Sequence, residues 1–416
     1  MHGARRFTLG RGSSFSVLVF ANVLLMASTS APSPIYPLYR ERWGFSVTTL
    51  TLVFAVYVAG LIGALLTTGS LSDHLGRRPV LVVSILVAAV GTAIFWSAGG
   101  VISLVLARVV QGIATGTATS ALAAGLVELS PVGRPHAGPT MTAVGTSFGL
   151  ALGGGLAGAL VQLSPRPDAA IFPALTLAFL ILAALLFAIP ETAVRRPGGR
   201  AALRPRIRVP HETRRQFFAA VPAIVAGWSI TGFFLALAPS AVRDVLHVRF
   251  SAAGGLSITV LYIANSAGGL WAARRSARGA TALGAVLLSL GAAGLAAALA
   301  FGSPSTFIGA SIVSGLGVGL TFNGTFRDIS EAATAKSRSE VFSAAFVISY
   351  AALGLPALAA GLAAPSWGLE STSYLYAALV GALSLAAALH GGRRLVSRPD
   401  PPPSRCLQPS IVRETA

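Results

Sequence analysis

Lysine and cysteine are almost missing: in 416 residues each occurs once, as Lys336 and Cys406. A single cysteine excludes a disulfide framework and a cysteine-built metal site. The lone lysine follows Ala335, so no Gly-x-x-x-x-Gly-Lys phosphate loop exists, and none of the six histidines stands in a His-Glu-x-x-His pattern. No catalytic residue, metal or cofactor is therefore expected. Acids are scarce too, 13 Asp and Glu against 31 Lys and Arg, and charged residues make up only 11% of the chain. A soluble domain carries roughly 25%. So few charges cannot coat a globule of this size, and the apolar surface must meet lipid.

Apolar residues make up 54% of the sequence and gather in runs. Twelve runs reach the length of about 20 residues that a hydrocarbon core requires. They lie near 15–37, 47–69, 79–98, 101–127, 138–162, 170–189, 216–239, 252–273, 280–301, 304–326, 340–363 and 371–390. In lipid the backbone must satisfy its own hydrogen bonds, so the fold class is all-α, an integral membrane protein with 12 transmembrane helices. The first run follows a few arginines and imitates a signal peptide. The many later runs, and the lack of a clean cleavage site ahead of a soluble domain, exclude that reading.

A net charge of +18 would point to nucleic acid in a soluble protein. Its distribution points elsewhere. With both termini on one side, 25 of the 31 basic residues fall on that side and five on the other, with Arg108 inside a span. This asymmetry places both termini in the cytoplasm and removes the need for a nucleic-acid partner. The Arg-, Pro- and Gly-rich segment from Pro190 has no apolar period and reads as a linker. The expected organisation is an N-terminal tail (1–14), a six-helix bundle (15–189), a cytoplasmic linker (190–215), a second six-helix bundle (216–390) and a disordered tail (391–416). The two halves echo each other. Ala31-Pro-Ser recurs at Ala238, "RVVQGIATG" from Arg108 parallels "SIVSGLGVG" from Ser311, and "GSL" from Gly69 parallels "GGL" from Gly268. These echoes make the bundles pseudo-symmetric, and parallel repeats of this kind place a binding site between the halves.

The stretch Gly69-x-Leu71-x-Asp73-x-x-Gly76-Arg77-Arg78 resembles the loop 2–3 signature of the major facilitator superfamily, and Arg108-x-x-Gln111-Gly112 resembles a second signature of that family, in helix 4. The resemblance implies the major facilitator fold over about residues 15–390. It further implies a secondary transporter of the 12-helix drug or metabolite exporter branch, which would work as a monomer on a small molecule. By the same resemblance the turn holding Asp73 is part of a latch that shuts the cytoplasmic side in the outward-facing state. As an acceptor Asp73 would cap a helix or pair with an arginine across the halves; the plain alternative is a solvated turn. Proton-driven exporters of the family carry Gly-Pro-x-x-Gly-Gly in helix 5. Here that place reads Gly149-Leu-Ala-Leu-Gly153-Gly154, with Gly145 one turn earlier and the proline missing. The excess of arginine, alanine and glycine looks like a GC-rich bacterial genome, hence a bacterial cytoplasmic membrane.

Arg108 is an embedded charge, costing about 2.5–3.5 kcal/mol near a bilayer centre. Gln111, Gly112, Thr115 and Thr119 share its helix face. This polar stripe is expected to look into a pathway and contact substrate or tune a proton site; the alternative is an arginine reaching the outer interface. By resemblance helices 1, 4, 7 and 10 line the cavity, bringing in Asn22, Met26, Trp228 and Asn323, residues that would serve equally as packing glue. The glycine row Gly145, Gly149, Gly153 forms a stripe for close helix contact. No carboxylate is plainly mid-span, which argues against a cationic substrate and favours a weakly polar one. The expected function is proton-coupled efflux of a drug-like compound. The alternatives are an importer of a sugar or organic acid and, remotely, a membrane-embedded sensor or enzyme.

Overall fold

The structure is a computed structural model that describes residues 8–69, 71–134, 136–193, 209–334 and 338–397. No strand occurs among them. Among the described residues the twelve long helices are α1 (Arg11–Ser30), α2 (Val47–Thr68), α3 (Arg77–Trp96), α4 (Val101–Glu128), α5 (Ala137–Leu163), α6 (Pro167–Phe187), α7 (Arg214–Ala236), α8 (Ala253–Ala272), α9 (Ala277–Ala300), α10 (Pro304–Ala332), α11 (Arg338–Trp367) and α12 (Leu369–Ser397). Local chemistry sets several starts. Ser46, Ser276 and Ser303 each accept a backbone N–H as caps of α2, α9 and α10, which satisfies a donor the helix leaves orphaned.

Some ends differ from the sequence reading. The first run does not continue to residue 37 as one helix. It stops at Ser30, and after Pro32 and Pro34 a separate helix runs from Tyr36 to Trp43, because proline removes a ladder donor and clashes with the preceding turn. The seventh run stops at Ala236, with Ala238–Asp244 following as its own short helix around Pro239. At the C-terminus α12 carries on to Ser397, into the segment expected to be disordered, while 398–416 and most of the expected linker (194–208) lie outside the described residues.

Eleven stretches among the described residues are long and apolar enough to cross a membrane. The twelfth helix, α8, carries Ser257, Thr259, Asn265, Ser266 and four glycines. Its exposed residues Leu256, Ile263 and Leu270 are apolar, and its other faces are held between α5 and α10. The polar groups of α8 are therefore turned inward, where protein rather than lipid surrounds them.

The packing repeats with a shift of six helices. α2 lies on α4 as α8 lies on α10; α1 on α5 as α7 on α11; α3 on α6 as α9 on α12. Between the halves the seams are α5 with α8 and α2 with α11, which the same shift interchanges. α3, α6, α9 and α12 display large exposed apolar side chains such as Val90, Leu180, Leu290 and Leu379, as a lipid-facing surface does. By contrast α1 from 21, α4 over 114–126, α7 from 219 and α10 over 313–330 have no exposed residue, so these four helices stand at the centre.

One face of the bundle carries Arg11, the turn after α2 and residues 190–193; we call it the linker face. Hydrogen bonds that join the halves are found from mid-depth to the opposite face. Asn265 Nδ2 donates to Ser147 Oγ at 3.3 Å, Thr259 Oγ1 to the Ala151 carbonyl at 3.0 Å and Thr48 Oγ1 to the Gly361 carbonyl at 2.6 Å. The Ser251 N–H donates to Gln162 Oε1 at 3.0 Å. The halves are thus closed at the face opposite the linker.

Candidate functional site

The turn after α2 is a small ion cluster on the linker face. Gly69 ends α2, and a one-turn helix, Leu71–Leu75, follows. Leu71 packs into the core of the first half. Gly76 then takes φ +105, a conformation that L side chains avoid, and a Cβ there would also strike the Glu191 carboxylate. Arg77 pairs with Asp73 at 2.5 Å and with Glu128 at 3.0 Å, and its Nη1 reaches Ser72 Oγ. Glu191 accepts the backbone N–H groups of Arg77 and Arg78 at 2.7 and 3.2 Å. It places a carboxylate on the positive end of α3. Thr192 Oγ1 donates to the second oxygen of Glu128, and Arg78 reaches the Phe187 carbonyl at 3.4 Å.

Among the described residues Asp73 is thus paired with an arginine of its own half. Its neighbours Glu128 and Glu191 were not singled out in the sequence. They are brought in from the ends of α4 and α6 only by folding.

Arg108 is completely buried and reaches neither surface. Its Nη1 donates to the Thr29 carbonyl at 2.9 Å and to Gln111 Oε1 at 2.7 Å, and its Nε donates to the Tyr36 hydroxyl. Gln111 Nε2 donates to the Ser28 carbonyl at 2.7 Å. These two carbonyls belong to the last turn of α1, where helix acceptors lose their partners. Pro32, four residues after Ser28, has no N–H to offer. Gln111 and Arg108 therefore supply the donors that the bend in α1 removes. The guanidinium lies 5.3, 5.2 and 5.7 Å from the ring centres of Tyr36, Tyr57 and Phe95, which offset its charge by cation–π attraction. Among the described residues no carboxylate pairs with it, and its Nη2 has no hydrogen-bond partner. Thr115 and Thr119 bond back to their own helix at 2.8 and 2.7 Å.

Gly112 belongs to a seam. A methyl there would enter the Tyr57 carbonyl of α2, and one at Gly116 the Leu61 carbonyl; Gly315 and Gly319 of α10 meet the carbonyls of Leu261 and Asn265 in the same way. The helix 5 row divides. Gly145, Gly149 and Gly153 face Asn22, Val23, Met26 and Ala27 of α1 inside the first half, while Gly154 and Gly158 meet Ile258 and Gly255 of α8 in the other half. Asn22 is held on α5 by the Thr142 carbonyl at 3.0 Å, and Met26 is buried in the same seam.

Asn323 bonds its own helix at the Gly319 carbonyl, 2.9 Å away. Trp228 stands in an aromatic column, 4.9 Å from Tyr350 and 6.0 Å from Phe322 between ring centres. Phe326, Phe342 and Phe346 continue the column. The sequence reading named only Trp228 there, although Phe322/Phe326 and Phe342/Phe346/Tyr350 recur every four residues on α10 and α11. In the first half Asn22 Nδ2 also reaches Thr146 Oγ1 at 3.4 Å, so a small polar cluster joins α1 to α5.

Residues 18–356 match the Major Facilitator Superfamily. Among curated proteins, the multidrug resistance protein MdtL of Klebsiella pneumoniae (strain 342) is 31% identical over 81 residues, which is 20% of this chain and 21% of that protein. MdtL of Shewanella oneidensis is 34% identical over 82 residues, 19% and 20% of the respective chains. The chain thus matches only about a fifth of the length of these relatives. Over nearly its whole length it superposes on crystal structures of a bacterial homologue of the human lysosomal transporter Spinster. In the inward-facing unoccupied form the TM-score is 0.75 at 14% identity, covering 96% of this chain and 100% of that one; in the occupied form it is 0.74 at 13%. With a match over most of its length, the fold of its solved neighbours and both signatures in place, the chain belongs to the major facilitator superfamily, and it is a multi-pass membrane transporter rather than an enzyme.

Proposed function

We propose that this transporter exports a weakly polar, drug-like organic molecule by alternating access, driven by the proton gradient, across a bacterial cytoplasmic membrane with the linker face inside. One observation carries the choice of substrate. Apart from Glu128, Asp328 and Glu331 at their linker-face ends, the four central helices contain no carboxylate. A cavity so built has nothing to hold a strong cation. It offers the rings of Trp228, Phe322, Phe346 and Tyr350 on one side and hydroxyls and an amide on the other, a surface that suits an uncharged body with a few polar atoms.

Efflux is supported by the glycines of α5 and by the partial likeness to multidrug resistance proteins. The acids available for coupling are Asp73, Glu128 and Glu191 of the turn. Arg108 and Gln111 act in this proposal as pathway residues. They hold the bend of α1 in place while the halves rock, and Asp73 and Arg77 act as a latch on the linker face. Domain boundaries at 15–189 and 216–390 follow, with the segment between them as the tether.

The test is accumulation of a panel of labelled compounds in cells with and without the gene, each with and without a protonophore. Lower accumulation that the protonophore reverses is the expected result. Gene-dependent higher accumulation of a single metabolite would mean import instead.

A further inference from the structure

At the face opposite the linker, Arg40 pairs with Asp244 at 2.8 Å, and Glu41 pairs with Arg243. The first member of each pair lies on the short helix Tyr36–Trp43 and the second on the short helix Ala238–Asp244. The offset is 203 residues from Arg40 to Arg243 and again from Glu41 to Asp244, the same as from Arg108 to Ser311. The four side chains are therefore one Arg-acid dipeptide used twice. The pseudo-twofold axis that relates the halves makes it self-complementary: the arginine of each copy meets the acid of the other.

Both carriers are fixed to their own half. Arg42 pairs with Asp168 at the start of α6 at 3.1 Å, and Tyr36 and Tyr39 are buried in one apolar cluster with Leu50, Phe95 and Phe172. Tyr36, the first residue of its helix, takes a hydrogen bond from Arg108. On the other side Ala238–Asp244 continues α7 after a single residue. The pairs cannot stay closed while the halves separate at this face.

We propose that Arg40, Glu41, Arg243 and Asp244 form the gate that closes the face opposite the linker and must break in each transport cycle. This rests on the alternating-access reading above, and it concerns residues outside both family signatures. The pairs are partly exposed, with side chains 26% and 32% accessible in the first and 39% and 59% in the second. Exposed pairs are individually weak and are screened by salt. That suits a gate, since a pair worth too much would trap the closed state.

The test uses spin labels at Arg166→Cys and Ser305→Cys, exposed positions on this face in opposite halves, in a Cys406→Ser background in lipid nanodiscs without substrate. Arg40→Asp and Asp244→Arg, each alone, should move the distance distribution from short to long, raising the long-to-short ratio about five- to thirtyfold. The double swap Arg40→Asp/Asp244→Arg should return it toward the parent. Single reversals that leave the distribution unchanged, or a double variant no closer to the parent than either single, would overturn the gate. Should a reversal fail to fold, the parent at about 0.05 M and about 1 M salt gives the same reading, with more long distance at high salt expected and an unchanged distribution refuting the proposal. Because distances are read without transport, a working gate beside negative accumulation assays would leave the gate standing and remove the efflux reading.

Discussion

The α2–α4 seam of the first half and the α8–α10 seam of the second share a frame and differ in content. Gly112 and Gly116 let α4 press onto α2; Gly315 and Gly319 let α10 press onto α8, against carbonyls at matching positions. Where the first half then buries Arg108, the second buries Ser311, whose hydroxyl bonds its own helix at the Phe307 carbonyl, 2.7 Å away. Gln111 corresponds to Ser314. A seam of this geometry therefore packs well with serines alone. The charge in the first half is not required by packing, and it carries a burial cost of about 2.5–3.5 kcal/mol. That cost is offset by the broken end of α1 and by three rings; the second half repeats the break after α7, but at the matching offset it has Pro239, Val260 and Ala298 in place of the rings. The difference teaches that the repeat conserves helix spacing, while the buried charge sits in one copy.

The most severe way to break the comparison is to put the charge in the wrong copy. Ser311→Arg should cost about 3–5 kcal/mol, because it buries a cation without prepared partners; a large fall in thermal unfolding temperature or loss of monodisperse protein on size exclusion would register it. Next, Gly112→Val and Gly315→Val should each destabilise by about 1–3 kcal/mol through overpacking, and by similar amounts. Thermal unfolding of the two variants side by side checks the equality; a tolerated substitution in one seam would show that the frames are not equivalent. Arg108→Lys keeps the charge but gives up the fork that reaches Thr29, Gln111 and Tyr36 together. Transport should fall at least about tenfold, equivalent to roughly 1.4 kcal/mol, with folding retained, and equal uptake rates in parent and variant vesicles would remove Arg108 from the pathway. The smallest effect belongs to the turn. Glu191→Gln should cost about 0.3–1 kcal/mol from the lost charge at the α3 N-terminus, measured as a modest shift in unfolding temperature.

Much of the helical plan was legible in the residues. Long apolar runs dictate spans, and the positions of Pro32 and Pro239 mark the bends, although the short helices beyond them lie mostly past the ends expected for those spans, at 37 and 239. The polar stripe of α4 was legible as a face because Arg108, Gln111 and Thr115 stand at helical spacing. Its partners were not. Ser28 and Thr29 matter through backbone carbonyls, which every residue has, so no side-chain pattern announces them. Glu128 and Glu191 looked like ordinary acids beside spans, since their role depends on α4 and α6 ending next to the start of α3. The aromatic column had a local signal, four-residue spacing on two helices, yet the pairing of α10 with Trp228 of α7 is a contact across sequence. The helix 5 glycines were recognised as a stripe, but only packing separates Gly145, Gly149 and Gly153, buried within one half, from Gly154, which meets the other.

By itself the sequence determined that this chain lives in lipid, as twelve helices in two related sets, because hydrophobic length and backbone hydrogen bonding leave a chain of this composition no other course. Tertiary structure alone decided which charges meet. Arg77 finds Glu128, Arg40 finds Asp244 and Arg108 finds no acid among the described residues. Such pairings depend on distances of a few ångströms between segments tens to hundreds of residues apart, and those distances are set by how the helices stack.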